Sequence, residues 1–295
     1  MSGDDGNTKR ILVTGGSAGI GRALCRQLAV EEGCTVLLGA RSEERGREAV
    51  DAIRAELGPA APGSVELVVV DVAQDASVEA AAAGIDAPLY GLVNNAGTGL
   101  AHGVTPDEVI RTNLYGPKRM VDALVGRGLV ADRIVNVGSG SGPGYVRRCP
   151  PEVQPALCQV PADWAAIEAL LAPAPDGRSG FGSAADQNGG YGISKALLSL
   201  YTMLLARDHP DLVVSCCSPG WIRTNIVGND GPSKGPEEGT LAIKHCLFEA
   251  LEESGWYFGS DALRSPYHYM RNPGEPPWDG VVDGVVGVSG ADAGA

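Results

Sequence analysis

Short apolar segments alternate with helical segments along most of this chain, and that alternation constrains its fold more than any other feature. The apolar segments lack the period of two expected for a sheet with one face in water, which favours parallel strands covered by helices on both faces. Strands are predicted at 10–14, 34–39, 65–70, 89–94, 133–137, 212–217 and 255–258. The pattern predicts an α/β fold built on a doubly wound, Rossmann-type parallel sheet of about seven strands.

Helices are predicted between these strands. They are expected at about 20–30, 43–57, 75–83, 105–125 and 191–208, with a further helix beginning at 236 or 237. Ser42 is the expected N-cap of the second helix. The helix that begins at 105 is expected to continue past Asn113 without a break.

A long insertion interrupts the alternation at residues 140–189, directly before the helix that begins at 191. It is rich in Pro, Gly and Ala, and one short helix is expected at 163–171. A segment with few charges in its middle is expected to pack against the domain, although a disordered loop remains open for 172–190. The apolar residues that need burial are Val153, Leu157, Trp164, Ile167, Leu170 and Leu171.

Composition and charge argue against several function classes. The net charge is −13 with no basic run, so we expect no nucleic-acid partner. No apolar run approaches the ~20 residues of a membrane span, and the polar start has no signal-peptide core, so no membrane association is expected.

The seven cysteines are odd in number and lack CxxC spacing, which is typical of reduced thiols. The four histidines are scattered and suggest no metal site. We therefore expect a cytoplasmic protein, with an organelle open if a transit peptide was trimmed.

A glycine-rich turn, Thr14 to Gly21, joins the first strand to the first helix. Glycines at this place let backbone N–H groups approach a pyrophosphate, and a helix N-terminus favours its negative charge. The alternative is an ordinary strand–helix turn. We expect dinucleotide binding by this turn, through Gly15, Ser17, Ala18, Gly19, Ile20 and Gly21.

Two charged residues near strand ends indicate how the rest of the dinucleotide is held. Arg41 follows the second strand, where NAD-binding proteins usually carry an acid and where an arginine can receive the 2′-phosphate of NADP. The alternative is an exposed arginine near a helix start, and we favour NADP(H). Asp71 ends the third strand and could accept a hydrogen bond from the adenine amino group, or could be an ordinary N-cap.

Tyr191 and Lys195 lie four residues apart and therefore on one face of a predicted helix. A free phenol titrates near pH ~10, and an adjacent ammonium is expected to pull that pKa toward neutrality. A tyrosine tuned in this way can exchange a proton with a carbonyl or an alcohol. Taken alone, the pattern is weak evidence, and it favours a solvated pair on a helix surface.

Together with other motifs, this pair resembles the short-chain dehydrogenase/reductase family over about 250 residues. The matching elements are the glycine turn Thr14–Gly21, Asn94–Gly97, Asn113, Ser139, the Tyr191-x-x-x-Lys195 pair and Pro219-Gly220. Their order and spacing make chance agreement negligible. The stretches Cys216–Thr224 and Pro236–Gly239 further resemble the monomeric carbonyl reductase or salutaridine reductase branch.

That branch carries a long insertion between its serine and its tyrosine, and here Ser139 and Tyr191 are 52 positions apart. The insertion matches in length and not in sequence. The branch often has a basic residue at the position of Ala18, so only Arg41 is left to select NADP. The glycine-rich stretch 138–144 and the segment after Trp256 are unusual, so the family's substrate pocket does not transfer to this chain.

The resemblance implies a role for each matching residue. Tyr191 would be the general acid, Lys195 would lower its pKa and hold the nicotinamide ribose, Ser139 would polarise the substrate carbonyl, and Asn113 would position a water in a proton relay. Thr224 would contact the nicotinamide, whose C4 supplies hydride. Further cofactor contacts implied by the resemblance are Asp71, Val72, Asn95, Ala96, Gly97, Tyr191, Lys195, Pro219, Gly220 and Ile222.

The expected function is NADPH-dependent reduction of a small-molecule ketone or aldehyde. A catalytically silent dinucleotide-binding subunit and an NAD(P)-linked alcohol dehydrogenase remain alternatives.

The expected domains are a disordered N-terminus at 1–9, one dinucleotide-binding catalytic domain at 10–278 and a flexible tail at 279–295. Most members of the family associate through long helices that include the tyrosine helix. An insertion folded over that face would block association, so we expect a monomer.

Overall fold

The computed structural model describes residues 8–58, 61–223 and 234–280. A seven-stranded sheet with every strand parallel to its neighbours forms its centre, in the order β3-β2-β1-β4-β5-β6-β7. The strands are β1 Arg10–Thr14, β2 Thr35–Ala40, β3 Ser64–Val69, β4 Leu89–Asn94, β5 Val130–Val137, β6 Val213–Cys217 and β7 Tyr257–Phe258. The predicted α/β fold with a doubly wound parallel sheet is confirmed, and the order reverses between β1 and β4, where such folds bind ligands.

Nine α-helices are assigned in the described residues. They are α1 Gly19–Val30, α2 Glu43–Glu56, α3 Asp75–Ala83, α4 Pro106–Asn113, α5 Tyr115–Val125, α6 Ser141–Arg148, α7 Trp164–Ala169, α8 Tyr191–Asp208 and α9 Leu241–Phe248. Short 3-10 turns occur at Leu100–His102, Gln154–Leu157 and Glu238–Thr240. The last of these precedes α9, so the helix predicted to begin at 236 or 237 begins instead at Leu241.

Two apolar layers cover the faces of the sheet. One layer holds buried residues of α1, α2 and α9, and the other holds those of α3, α4, α5, α6 and α8. Leu12 lies in the second layer and Ile11 and Val13 lie in the first, because successive side chains of a strand point to opposite faces. Both faces of the central strands are therefore buried, which explains why those strands read as continuous apolar runs.

The helix predicted across 105–125 is broken in the structure, and this prediction was wrong. α4 ends at Asn113, Leu114 lies between the two helices, and α5 begins at Tyr115. In a continuous helix the carbonyl of Asn113 would accept from the residue four positions later. That residue is Pro117, which has no N–H to donate. The proline therefore explains the interruption, and it leaves the Asn113 carbonyl without its usual partner.

The insertion is folded against the domain, and its apolar residues are covered as predicted. Ile167 is fully buried, and Trp164 packs edge-on between Tyr115 of α5 and Tyr201 of α8, with ring centroids 5.6 and 5.3 Å apart. The short helix predicted at 163–171 spans Trp164–Ala169, so it begins one residue later and ends two residues earlier than predicted. Asp163 caps it by accepting from the N–H of Ala166 at 2.8 Å. The disordered alternative for 172–190 is not what the structure shows.

No helix in the described part of the chain combines the length and apolarity that crossing a membrane requires.

Candidate active site

Thr14 holds the glycine turn against the end of β4. Its hydroxyl donates to the carbonyl of Val93 at 3.3 Å and accepts from the N–H groups of Asn95 and Ala96 at 3.1 and 3.0 Å. The Asn95 side chain returns the contact, since its amide donates to the carbonyls of Thr14 and Gly15 at 2.9 and 3.3 Å. Asn95, Ala96 and the glycine turn are thus fixed as one unit at the crevice of the sheet.

Neighbouring backbone leaves no room for a side chain at two positions of the glycine turn. Gly15 has a φ of +67°, and a Cβ there would lie 2.9 Å from the Cα of Ala96. A Cβ on Gly21 would lie 2.3 Å from the carbonyl oxygen of Gly15. The α1 N-cap, Ala18, supplies no side-chain hydrogen bond to the first turn of the helix. The N–H groups of the first turn of α1 are therefore available to an anion, and such an arrangement can hold a pyrophosphate.

Arg41 and Asp71 flank the same edge of the sheet. Arg41 directly follows β2, is exposed, and takes no part in the ion pairs between described residues. Asp71 accepts from the N–H of Ala73 through Oδ1 at 3.0 Å. It is not an N-cap, because Gln74 has that place before α3. Val72 is buried and supports Gly116 of α5, where a Cβ would come within 2.9 Å of it.

Asn113 ties the end of α4 to the tyrosine helix. Its side-chain oxygen accepts from the N–H of Thr98 at 2.8 Å, and its amide donates to the Thr98 carbonyl at 2.9 Å and to the hydroxyl of Ser194 at 3.2 Å. A Cβ on Gly97 would lie 3.5 Å from Asn113 Oδ1 and 3.8 Å from Lys195 Nζ. Asn113, Gly97 and Lys195 therefore line one space.

Ser139, Tyr191 and Lys195 converge at the carboxyl end of β5. Ser139 lies two residues after this strand, close enough to the Tyr191 phenol to lower its pKa. Lys195 is 4% exposed, and its Nζ donates to the carbonyl of Val137 at 2.7 Å and lies 5.8 Å from the centroid of the Tyr191 ring. The four predicted catalytic residues, including Asn113, are thus brought together.

The pKa of Tyr191 differs from the sequence-based expectation. Burial is the largest influence and raises the pKa of the phenol above its usual value, while the contact with Ser139 opposes that shift. Burial also lowers the pKa of Lys195 to about 8, with smaller opposing effects of Cys216 and Cys217. The expected lowering of the tyrosine pKa by the ammonium is therefore not found in the protein alone.

One positioning residue escaped the sequence analysis. Asp186, in the insertion, is buried, and its two carboxylate oxygens accept from the N–H of Gly190 at 2.9 Å each. Oδ2 also accepts from the N–H of Gly182 at 3.1 Å. Gly190 is the N-cap of α8 and has a φ of +86°, so this carboxylate fixes the left-handed turn that presents Tyr191. An acid three residues before the glycine pair 189–190 was the signal that the sequence offered.

The loop after β6 approaches the glycine turn from the other side of the crevice. Gly220 has a φ of +88° and follows Pro219, and its N–H donates to the Ser218 hydroxyl at 3.2 Å. Ile222 is buried, and a Cβ on Gly239 would touch both Ile222 and Ile20 within 3.1 Å. Thr224, the remaining predicted cofactor contact, lies outside the described residues.

Known proteins share this architecture and this sequence pattern. The family model described as short chain dehydrogenase matches residues 9–149. (+)-Neomenthol dehydrogenase of Arabidopsis thaliana is 31% identical over 290 residues, covering 84% of this chain and 94% of the relative. The chain belongs to the short-chain dehydrogenase/reductase family. Within this family it is also similar to carbonyl reductase [NADPH] 1 of Mus musculus, at 28% identity over 250 residues, covering 77% of this chain and 86% of that protein.

A solved structure of the same family has the same fold. Salutaridine reductase from Papaver somniferum superposes with a TM-score of 0.69 at 24% identity, covering 84% of this chain and 99% of that one. Together with the sequence relatives, this fold confirms the predicted resemblance to the short-chain dehydrogenase/reductase family and its carbonyl reductase branch, and the protein is an oxidoreductase of this family.

Proposed function

We propose that this protein reduces the carbonyl group of a ketone or aldehyde to an alcohol with NADPH, with Tyr191 as the general acid. The observation that carries the proposal is the convergence of Ser139, Tyr191 and Lys195 beside the glycine turn. A carbonyl oxygen placed between the serine and the tyrosine would meet two hydroxyl groups, one to polarise it and one to protonate it.

The crevice fits a dinucleotide. The close approach of backbone at Gly15 and Gly21 and the open first turn of α1 suit a pyrophosphate. Arg41 would pair with the 2′-phosphate, since it is exposed at the carboxyl end of β2 and Ala18 brings no charge. The name of the mouse relative, carbonyl reductase [NADPH], supports the same cofactor. When bound, the reduced nicotinamide supplies hydride to the carbonyl carbon.

The protonation states of the chain's own groups favour donation by Tyr191. A phenol whose pKa is raised by burial keeps its proton at neutral pH, so it can give that proton to the oxygen of a carbonyl being reduced. Ser139 stabilises the charge that develops on the same oxygen. Lys195, charged below about pH 8, favours the phenolate that remains.

The break between α4 and α5 offers a route by which Tyr191 regains its proton. Pro117 cannot donate to the carbonyl of Asn113, so that oxygen can accept from a water instead. The Asn113 side chain lines the same space as the Lys195 ammonium. We infer that this carbonyl holds a water that passes protons to Lys195 and onward to Tyr191.

The two alternatives differ from this proposal in measurable ways. A silent subunit would bind NADPH without consuming it, and the complete set of four residues argues against that reading. An alcohol dehydrogenase would oxidise an alcohol with the oxidised cofactor. The name of the relative neomenthol dehydrogenase supports this alternative. A panel of quinones, diketones and simple ketones with NADPH, and of their alcohols with NADP⁺ and NAD⁺, separates the three through absorbance of the reduced nicotinamide.

We also propose that the chain acts as a monomer with one catalytic domain at 10–278. The insertion places α7 on α5 and α8, with Trp164 between their tyrosines, and Tyr115 donates to Glu168 at 3.0 Å. A second copy could not use that helix face while the insertion covers it. All seven cysteines are free and buried, which supports a reducing compartment such as the cytoplasm.

A further inference from the structure

The glycines of the unusual stretch 138–144 alternate between two environments. A Cβ on Gly138 would lie 2.7 Å from the sulfur of Cys216, and one on Gly142 would lie 3.0 Å from the backbone of Lys195 and Ala196. Gly138 faces the neighbouring strand β6, and Gly142 faces α8, where a side chain would push the catalytic helix away. These two glycines therefore serve close packing.

Gly140 and Gly144 present their bare backbone to Met270 of the C-terminal segment. A Cβ on Gly140 would lie 3.2 Å from Met270 Cε and 3.4 Å from its Sδ, and one on Gly144 would lie 3.9 Å from that Sδ. Gly140 directly follows Ser139, so the thioether lies over the turn that carries the catalytic hydroxyl. Met270 is nevertheless 58% exposed. An apolar side chain beside a catalytic serine, covered on one side only, has its other side free for a substrate.

The backbone next to Met270 is anchored by an ion pair of the following residue. The side chain of the next residue, Arg271, is 2% exposed and pairs with Asp261. Arg271 also donates to the hydroxyl of Ser265 at 3.2 Å and to the carbonyl of Glu275 at 2.6 Å. The backbone that carries Met270 is thus anchored, while the unbranched thioether can adjust to the shape of a ligand.

We propose that Met270 is a specificity-determining residue that forms the apolar wall of the substrate cleft beside Ser139. It favours carbonyl compounds that carry a bulky apolar group, above all a flat ring, next to the carbonyl carbon. This inference rests on the proposed reductase function. Sulfur contacts aromatic rings favourably, and loss of a well-packed apolar contact of this size changes discrimination between substrates by roughly tenfold.

The test compares phenanthrenequinone, which is flat and apolar, with butanedione, which is small. In Met270→Ala we expect the ratio of kcat/KM for the quinone to that for the diketone to fall about tenfold, through a higher KM for the quinone. Met270→Leu keeps an apolar side chain of similar size and should retain the ratio within about twofold. Leu241→Ala is the matched control, since Leu241 is 52% exposed on α9, in the layer on the other face of the sheet.

Oxidation of the wild-type protein gives a second measurement that needs no variant to fold. Hydrogen peroxide transfers one oxygen atom to a thioether and leaves as water, so a methionine becomes a polar sulfoxide. Met120 and Met203 are buried, and mass spectrometry of the peptide reports conversion of Met270. We expect the oxidised protein to lose the same preference for the quinone, and Met270→Leu to resist the treatment.

The outcomes separate the two levels of inference. An active protein whose ratio is unchanged by both Met270→Ala and oxidation would overturn the role of Met270 and leave the reductase intact. A wild-type protein that consumes NADPH with neither compound, nor with others in the panel, would overturn the proposed function and the substrate wall with it.

Discussion

The ammonium of Lys195 donates to the backbone carbonyl of Val137 at 2.7 Å, which fastens α8 to the end of the strand that precedes Ser139. This contact joins α8 to β5 across 58 positions of sequence. It also keeps the charged group buried, so that burial lowers its pKa to about 8. The contact that positions α8 and the lowered pKa therefore belong to the same side chain, Lys195.

The depressed pKa of Lys195 predicts how carbonyl reduction depends on pH. The lysine is charged below its pKa and neutral above it, so kcat/KM should be highest below about pH 8 and should fall as pH rises through that value. The measurement is kcat/KM with a fixed carbonyl substrate between pH 6 and ~10. In Lys195→Met, activity should be low and this descending limb should disappear. A rate that rises steadily through pH 8 would contradict the role of the ammonium.

Arg41 is expected to select the cofactor. Arg41→Asp should weaken NADPH binding and improve NADH binding, because a charged hydrogen bond is worth ~1.5–3 kcal/mol, or roughly ten- to hundredfold in affinity. Cofactor fluorescence titration measures both constants. Arg127→Asp carries the same charge change just before β5, at the opposite edge of the sheet, and should alter neither constant strongly. Equal wild-type affinity for the two cofactors, unchanged by Arg41→Asp, would rule out the pairing.

Asp186 is expected to act on turnover through the position of Tyr191. Asp186→Ala leaves the N–H groups of Gly190 and Gly182 without their acceptor, so kcat should fall more than about tenfold while NADPH affinity changes little. The loss of stability should be about 1–3 kcal/mol, the cost of unsatisfied buried donors. Asp186→Asn keeps one acceptor oxygen and should recover part of kcat. Equal kcat in all three proteins would show that the turn does not position the tyrosine.

Trp164 is expected to hold the insertion on α5 and α8. Trp164→Ala removes both aromatic contacts of a half-buried ring and should lower the free energy of unfolding by roughly 2–3 kcal/mol. Trp221→Ala is the control, since Trp221 is 65% exposed.

Light scattering coupled to size exclusion should give the wild-type protein a mass near 30.3 kDa, the mass of a monomer. A mass near two or four times that value at micromolar concentration would exclude the monomer.

Particular residues show how far the sequence predicts this fold. The strands and the glycine turn were predicted because burial on both faces and backbone approach to a ligand leave a local pattern, as at Ile11 and Gly21. α6 was not predicted, because three of its eight residues are Gly or Pro, which disfavour a helix, and its position depends on the close contact of Gly142 with α8. The break after Asn113 could have been predicted from Pro117, which lacks a donor.

The candidate site was also predictable only in part. The identities of Ser139, Tyr191 and Lys195 come from motif and spacing, whereas their pKa values depend on burial that only the fold supplies. The predicted direction of the Tyr191 pKa shift was therefore wrong, because burial raises that pKa. Met270 contacts Gly140 and Gly144 from a distant part of the chain, whereas Asp186 acts on a local turn, and no short motif marks either residue.

The most direct test of Tyr191 as general acid is NADPH consumption by wild-type protein and by Tyr191→Phe with a reactive quinone or diketone. The variant removes one hydroxyl, so it should keep the fold and bind NADPH with wild-type affinity. Its kcat should fall by ~10²–10⁴, the usual loss when a general acid is removed. Wild-type protein that consumes NADPH beside a folded, cofactor-binding and nearly inactive variant is the predicted result. Near-normal turnover by Tyr191→Phe would contradict the assignment.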